Sequence, residues 1–230
     1  MYVLWFNLMH MVLIFDLLLF IAVSSIHLYR RRYHGREIVG NISKLFLIPS
    51  LYLLIFLFFS SSPHSLNKPW LVASITLSYA LGDLFLLFKR RTFFFYLGAV
   101  SFSLGHLMYI LYFSSFGLSI GFALIGFFFS LMFLIRYLKK IHSKVPGKEL
   151  PYLLYAVGIV GLALSSFGLF KVDPLAALFA CFGSVLFGLS DSFIAYNKAG
   201  VKRTSSFAIM LSYIFANILL VLSIIMLNMC

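Results

Sequence analysis

From Tyr79 to Phe113 the chain reads as two apolar runs of membrane-spanning length that meet at a three-charge hairpin, Lys89-Arg90-Arg91. A helix of about 20 apolar residues crosses the hydrocarbon core of a bilayer, where every backbone polar group has to be satisfied within the segment. A chain built this way has few options: helices packed on helices, joined by short polar turns at the two membrane faces. The first run carries Asp83 and the second His106. Ionisable groups at membrane depth cost free energy, so each is a candidate functional group.

The same pattern continues along the whole chain. Eight spans are expected, at about Val3–Leu28, Ile42–Ser60, Pro69–Phe88, Thr92–Phe113, Leu118–Leu138, Pro151–Phe170, Pro174–Tyr196 and Thr204–Leu227. Pro69, Pro151 and Pro174 fall at first-turn positions, where the missing N–H costs little. With 63% hydrophobic and 10% charged residues among 230, the chain is far from a soluble globular composition. It reads as an all-α, polytopic membrane protein, residues 1–230 forming a single integral membrane domain. The first apolar run lacks a basic leader and ends in Arg30-Arg31-Arg32, which speaks against a cleaved signal peptide.

A net charge of +12 would suit a nucleic-acid partner, but its placement points elsewhere. Of the 18 Lys and Arg, all but Lys68 and Lys171 fall after the first, third, fifth and seventh runs. Alternate loops are therefore basic, as the positive-inside rule requires, and both termini are expected on the non-cytoplasmic side. Short loops lean towards a bacterial inner membrane, with the endoplasmic reticulum as the location in a eukaryote. Cys181 lies in an apolar run and Cys230 is the last residue, so no disulfide framework is visible. Gly117, Gly121 and Gly126, and Gly158 with Gly161, offer small residues for close helix approach.

Depth sorts the six acidic residues. Glu37 and Glu149 fall in basic loops, and Asp173 precedes Pro174 as a helix N-cap. Asp83 lies six residues before Lys89 and Asp191 seven before Lys198, roughly 9 Å and 10 Å inside the charge line at about 1.5 Å per residue. Two carboxyls at matched depth on different helices suggest a paired site. A close pair in a low-dielectric site would share one proton near neutrality, giving one acid and one base for hydrolysis. Asp16, roughly 21 Å from Arg30 by the same rise, has no acidic partner at its level and reads as a packing residue.

His106 has Tyr109 close by on its helix and Gly105 beside it, and a lone membrane His is as readily structural as functional. No HExxH or CxxC spacing occurs, so neither metal nor organic cofactor is expected. Tyr213 and Asn217 share a face at i, i+4. Lys44, at the mouth of the second span, is either a snorkelling anchor or a cation for a phosphate.

These residues, in this order, resemble the lysoplasmalogenase (YhhN-like) membrane family. The resemblance is carried by Leu81-Gly82-Asp83 and the leucines after it, Gly98 to Phe113 (GAVSFSLGHLMYILYF), Phe187 to Ala195 (FGLSDSFIA) and the Tyr213/Asn217 helix. It covers about Lys44 to Asn217. Two points bear on the match: Lys44 is followed by Leu45 where the family often has Lys-Pro, with Pro49 coming later, and Asn217 stands where an amide or similar polar residue is expected. The resemblance implies hydrolysis of the vinyl ether bond of a lysoplasmalogen to a fatty aldehyde and glycerophosphoethanolamine or glycerophosphocholine. Asp83 and Asp191 fit the acid and base of that reaction, in either order. Ser190 would orient its neighbour, His106, Tyr109, Tyr213 and Asn217 would line the pocket, and Lys44 would meet the lysophospholipid phosphate.

Two other classes compete. An intramembrane aspartyl protease also uses two membrane aspartates, but Ala80 interrupts its GxGD pattern and no Pro-Ala-Leu occurs. A non-enzymatic lipid-binding or transport protein would use the aspartates as a proton relay or as packing glue. Its usual sign, interrupted helices at matching points of two halves, is not evident.

Overall fold

The computed structural model describes residues 2–33, 38–88, 92–146, 150–201 and 203–229. Arg36, Glu37, Lys148, Glu149, Lys202, Cys230 and the Lys89-Arg90-Arg91 hairpin lie outside them. The described residues form α1 (Tyr2–Tyr33), α2 (Ile38–Ser61), α3 (Pro69–Leu87), α4 (Thr92–Ser114), α5 (Ile120–His142), α6 (Leu150–Gly168), α7 (Pro174–Ala199) and α8 (Ser206–Met229), with a 3-10 turn at Leu169–Lys171 between α6 and α7. Seven of these are long and apolar enough to cross a membrane; the described apolar part of α6 with its 3-10 turn, Tyr155–Lys171, is shorter. The chain is an all-helical integral membrane protein.

The helix ends follow from local sequence. Asp173 caps α7, its carboxylate accepting from the Leu175 N–H at 2.8 Å and the Ala176 N–H at 3.2 Å, with Pro174 in the first turn. Gly200 closes the same helix at φ 73°, a left-handed conformation that costs glycine nothing. Helix α2 begins earlier than the hydropathy suggests, at Ile38, so Lys44 lies within its second turn rather than in a loop. Pro49 sits inside α2; next to it, the Ser50 hydroxyl donates to the Phe46 carbonyl at 2.8 Å.

Neighbouring helices pair as α1–α2, α3–α4, α5–α6 and α7–α8, as short connections require. Contacts of α4 with α6, α6 with α7, α2 with α3 and α8 with α1 and α2 close the bundle. Glycine decides how near several of these pairs come. The Tyr79 ring lies where a side chain at Gly105 would be, and the Phe102 ring stands 2.8 Å from a Cβ built on Gly82. Gly126 faces Phe167, Gly158 faces His106 and Gly161 faces Ile110. Gly117 and Gly121 do not share that role: Gly117 turns the chain at φ 84° with nothing near, and Gly121 faces nothing closer than Ser119 at 4.0 Å.

The two ends of the bundle differ. At one end Arg32 lies over Phe207, Lys140 over Tyr196 and Lys198 over Phe95, all within 5.7 Å of the ring centre. At the other, the Asn67 N–H donates to Asn228 Oδ1 at 2.7 Å, the Asn67 side chain to Ser115 at 3.2 Å, and the Asn228 side chain to Tyr112 at 2.6 Å. The core between them is aromatic, with Tyr52, Tyr79, Tyr109, Tyr112, Phe113 and Phe187 fully buried.

Because α3 and α4 meet through Gly105, Gly105→Ala drives a methyl group into the Tyr79 ring and is expected to cost about 1–3 kcal/mol. In detergent, its thermal unfolding midpoint should drop by several degrees. Gly121→Ala, with open space around it, should unfold with the wild type.

Candidate active site

The buried cavity lies where α2, α3, α4, α7 and α8 converge. It is lined by Lys44, Asp83, Leu86, Phe102, Ser190, Asp191, Ile194, Ile209, Met210 and Tyr213. The two carboxyls at matched depth therefore face one cavity, and they are near enough for their charges to interact. Each is 1% exposed. The enclosed space, about 10 Å³, is at the lower limit for a single water molecule.

Asp83 is held from both sides. Lys44 Nζ stands 2.7 Å from Oδ1, and the Tyr213 hydroxyl donates to Oδ2 at 2.9 Å. Lys44 is thus neither a snorkelling anchor nor a free cation at the membrane mouth. It is 8% exposed, the one buried Lys or Arg among the described residues, and its ammonium is committed to an ion pair. Charge at this depth persists only when paired. Gly82, just before Asp83, leaves the space that the Phe102 ring fills.

Asp191 contrasts with Asp83. Tyr155 is near enough for its phenol to hydrogen-bond Asp191, and Tyr79 and Tyr137 are near enough to interact with it electrostatically, but neither carboxyl oxygen holds a short, well-angled bond to a described residue. Ser190 lines the cavity but does not orient Asp191; its hydroxyl donates to the Ile209 carbonyl at 3.0 Å and ties α7 to α8.

The other expected pocket residues sit one layer away. Asn217 donates from Nδ2 to the Tyr213 carbonyl at 2.9 Å and accepts from the Tyr52 hydroxyl at 3.3 Å. Tyr52 and Tyr109 share a 2.6 Å bond between hydroxyls. His106 is fully buried, its ring 4.8 Å from Phe187 and 5.7 Å from Tyr79, and neither ring nitrogen has a hydrogen-bond partner among the described residues. None of His106, Tyr109 or Asn217 lines the cavity. Asp16 is buried on α1, which packs on α2 and α8, away from the cavity lining. Among the described residues no three His, Cys, Asp or Glu side chains come together as a metal-binding set.

Sequence reasoning named Tyr213 and missed the rest of the aromatic shell around it. Tyr79, Phe102, Phe187 and Tyr213 form a cluster with ring centres 5.1–6.1 Å apart along its contacts, edge-on and tilted as buried rings prefer. The signal was present as helical spacing. Tyr79 is four residues before Asp83, Phe187 four before Asp191, and Tyr52 eight after Lys44, which places each on the face of its polar neighbour.

The ion pair makes a checkable energetic claim. Lys44→Met leaves the Asp83 carboxylate without its cation and is expected to cost about 3–5 kcal/mol. Lys44→Met combined with Asp83→Asn removes both charges and should recover much of that loss. Unfolding of the two single variants and the double variant in detergent measures the coupling.

Comparison with known proteins bears on the same residues. The chain matches no curated protein and no solved structure. Residues 41–224, which hold Lys44, Asp83, Asp191 and Tyr213, match the YhhN family. That match covers most of the chain, and it joins the sequence motifs to the helices that enclose the cavity: the protein belongs to the YhhN family.

Proposed function

We propose that this protein is a lysoplasmalogenase-like hydrolase that cleaves the vinyl ether bond of a lysoplasmalogen. The products are a fatty aldehyde and glycerophosphoethanolamine or glycerophosphocholine. The observation that carries this reading is the unequal pair: Asp83, gripped by an ammonium and a phenol, faces the same cavity as Asp191, which has the Tyr155 phenol beside it and no ion pair of that kind. Membership of a family associated with hydrolase activity supports it. In this reading the protein spans a cell membrane eight times with both termini on the non-cytoplasmic side, in a bacterial inner membrane or, in a eukaryote, the endoplasmic reticulum.

The roles follow from partners. With donors on both oxygens Asp83 is the stabilised carboxylate. A carboxylate with no ammonium held against it is costly in a low-dielectric site, so Asp191 is the member that carries a proton. Enol ether hydrolysis starts with proton transfer to carbon. Asp191 gives its proton to the β-carbon of the vinyl ether, and the α-carbon becomes an oxocarbenium ion facing the Asp83 carboxylate. Water adds to that carbon and passes a proton to Asp83, forming a hemiacetal. Asp83 then returns the proton to the departing glycerol oxygen, while the hemiacetal hydroxyl gives its own to Asp191 as the C=O forms. One water is consumed and both carboxyls regain their starting states. The division of labour is that of a glycosidase pair. Lys44 holds Asp83, and a lipid phosphate approaching it would share an ammonium already paired with that carboxylate. Tyr213 holds Asp83 directly, Asn217 and Tyr109 brace Tyr213 and Tyr52, Ser190 fixes α7 on α8, and His106 forms the deep wall.

Purified protein should release aldehyde from lysoplasmenyl lipid and leave the saturated 1-O-alkyl ether intact. Asp83→Asn and Asp191→Asn should each lose about 100-fold or more of that activity, the ordinary weight of an acid–base residue. Full activity in either folded variant overturns the paired mechanism. In deuterium oxide the aldehyde should gain one deuterium next to the carbonyl and turnover should slow, because the slow step delivers a solvent-exchangeable proton to carbon; product without that label contradicts protonation by Asp191.

A further inference from the structure

A cavity of about 10 Å³ between Asp83 and Asp191 has no room for a hydrocarbon chain, so a lipid with its reactive bond there must lay its chain elsewhere. Besides that cavity, the bundle has a groove of about 380 Å³ bounded by Phe133 on α5, Ile159 and Ala163 on α6, and Val185, Gly188 and Leu189 on α7. We propose that this groove holds the single hydrocarbon chain of the lysolipid whose polar end lies at Asp83 and Asp191. The inference rests on the hydrolase reading for the placement of the polar end; the groove itself is independent of it.

Three observations favour this occupant. First, the lining carries no charged residue, and its walls open to the surrounding bilayer, with Phe129 and Val185 more than half exposed. The Ser184 hydroxyl is turned onto the Cys181 carbonyl at 2.9 Å, so it makes no polar demand on the space. Such a groove at membrane depth suits a chain rather than a headgroup. Second, the order along α7 is right. Ser190, Asp191 and Ile194 line the small cavity, and Ser184 to Leu189 line the groove on the side away from the basic end at Lys198. Ser184 lies about 10 Å along the axis from Asp191 at about 1.5 Å per residue. A lysolipid with its phosphate towards Lys44 would run its chain in that direction. Third, the inner wall is thin. A Cβ built on Gly188 would stand 2.9 Å from Ile159 Cγ2, so one isoleucine over bare backbone is what lies there. Their chain neighbours reach the layer around the site: Phe187 packs on His106 and on Tyr213, which lines the cavity, and Gly158 faces His106.

The test uses a saturated 1-O-alkyl lysophospholipid with a photoactivatable diazirine at the chain end, added to the full protein in phospholipid nanodiscs. After irradiation, adducts should concentrate on residues 129–133, 159–167 and 184–189, and excess unlabelled lysolipid should compete them away. Ala163→Trp, which fills the groove, should lower the competed labelling. With vinyl ether substrates, it should shift the long-chain to short-chain ratio of kcat/KM by about 10-fold, the weight of losing one or two methylene contacts. Phe133→Ala enlarges the groove and should shift the ratio the other way, which keeps the test open if the Trp variant does not fold. Adducts spread over the exposed side chains of α1, such as Phe15 and Leu18, or not displaced by competitor, mean ordinary bilayer lipid and overturn the proposal. So does a groove protected from label by a second copy of the chain. The two readings fail separately. Competed groove labelling without aldehyde release retains the groove and removes the hydrolase, whereas aldehyde release with unchanged labelling and chain-length preference in both variants removes the groove.

Discussion

One buried ion pair sets the terms for the centre of this protein. Lys44 and Asp83 meet at 2.7 Å, 8% and 1% exposed, in an environment where an unpaired ion costs several kcal/mol. The pair obliges α2 and α3 to face each other at this depth, and Tyr213 on α8 closes the second oxygen of the carboxylate. With Asp83 so committed, Asp191 on α7 is left facing the same cavity with the Tyr155 phenol beside it and no short ion pair of its own. Two chemically identical side chains thus acquire different environments from helices far apart in sequence.

The aromatic cluster gives that contrast its dryness. Phe102 occupies the space above Gly82 and meets Tyr79, Phe187 and Tyr213, so the carboxyls are walled by rings. Tight walls also leave about 10 Å³ between them. A site this contracted selects by what can be drawn into it rather than by an open bowl, and the larger apolar groove on α5, α6 and α7 supplies the room it lacks.

Much of the architecture was legible because membranes leave few alternatives. Hydropathy and the alternation of basic loops gave the helices to within a few residues at most ends, and helical rise alone put Asp83 and Asp191 at one level. What could not be read was rotation. Depth says nothing about which way a side chain points, so Ser190 was expected beside Asp191 but turns to the Ile209 carbonyl. Lys44 was assigned to the membrane mouth because α2 was started too late, at Ile42 rather than Ile38; a residue in the second turn of a helix reaches the interior. His106, Tyr109 and Asn217 were rightly sensed as interior polar groups, but contact with the cavity depends on neighbours that only packing reveals. The aromatic shell was written at four- and eight-residue spacings from the polar residues, yet in a chain with 28 Phe and 13 Tyr such spacings occur too often to single out.

The hydrogen bonds around Asn217 extend this point. Lys44 and Tyr52 on α2, Asp83 on α3, Tyr109 on α4, and Tyr213 and Asn217 on α8 are linked in one connected set. In water, burying an apolar stripe fixes how far each helix is turned about its own axis. In hydrocarbon a leucine gains little by facing a neighbour rather than a lipid tail, so that torque is weak. Here four helices are keyed to one another by polar atoms that bond from one helix to the next. The residues that form the site therefore also act as the splines of the bundle, setting the angular position of the helices that carry them.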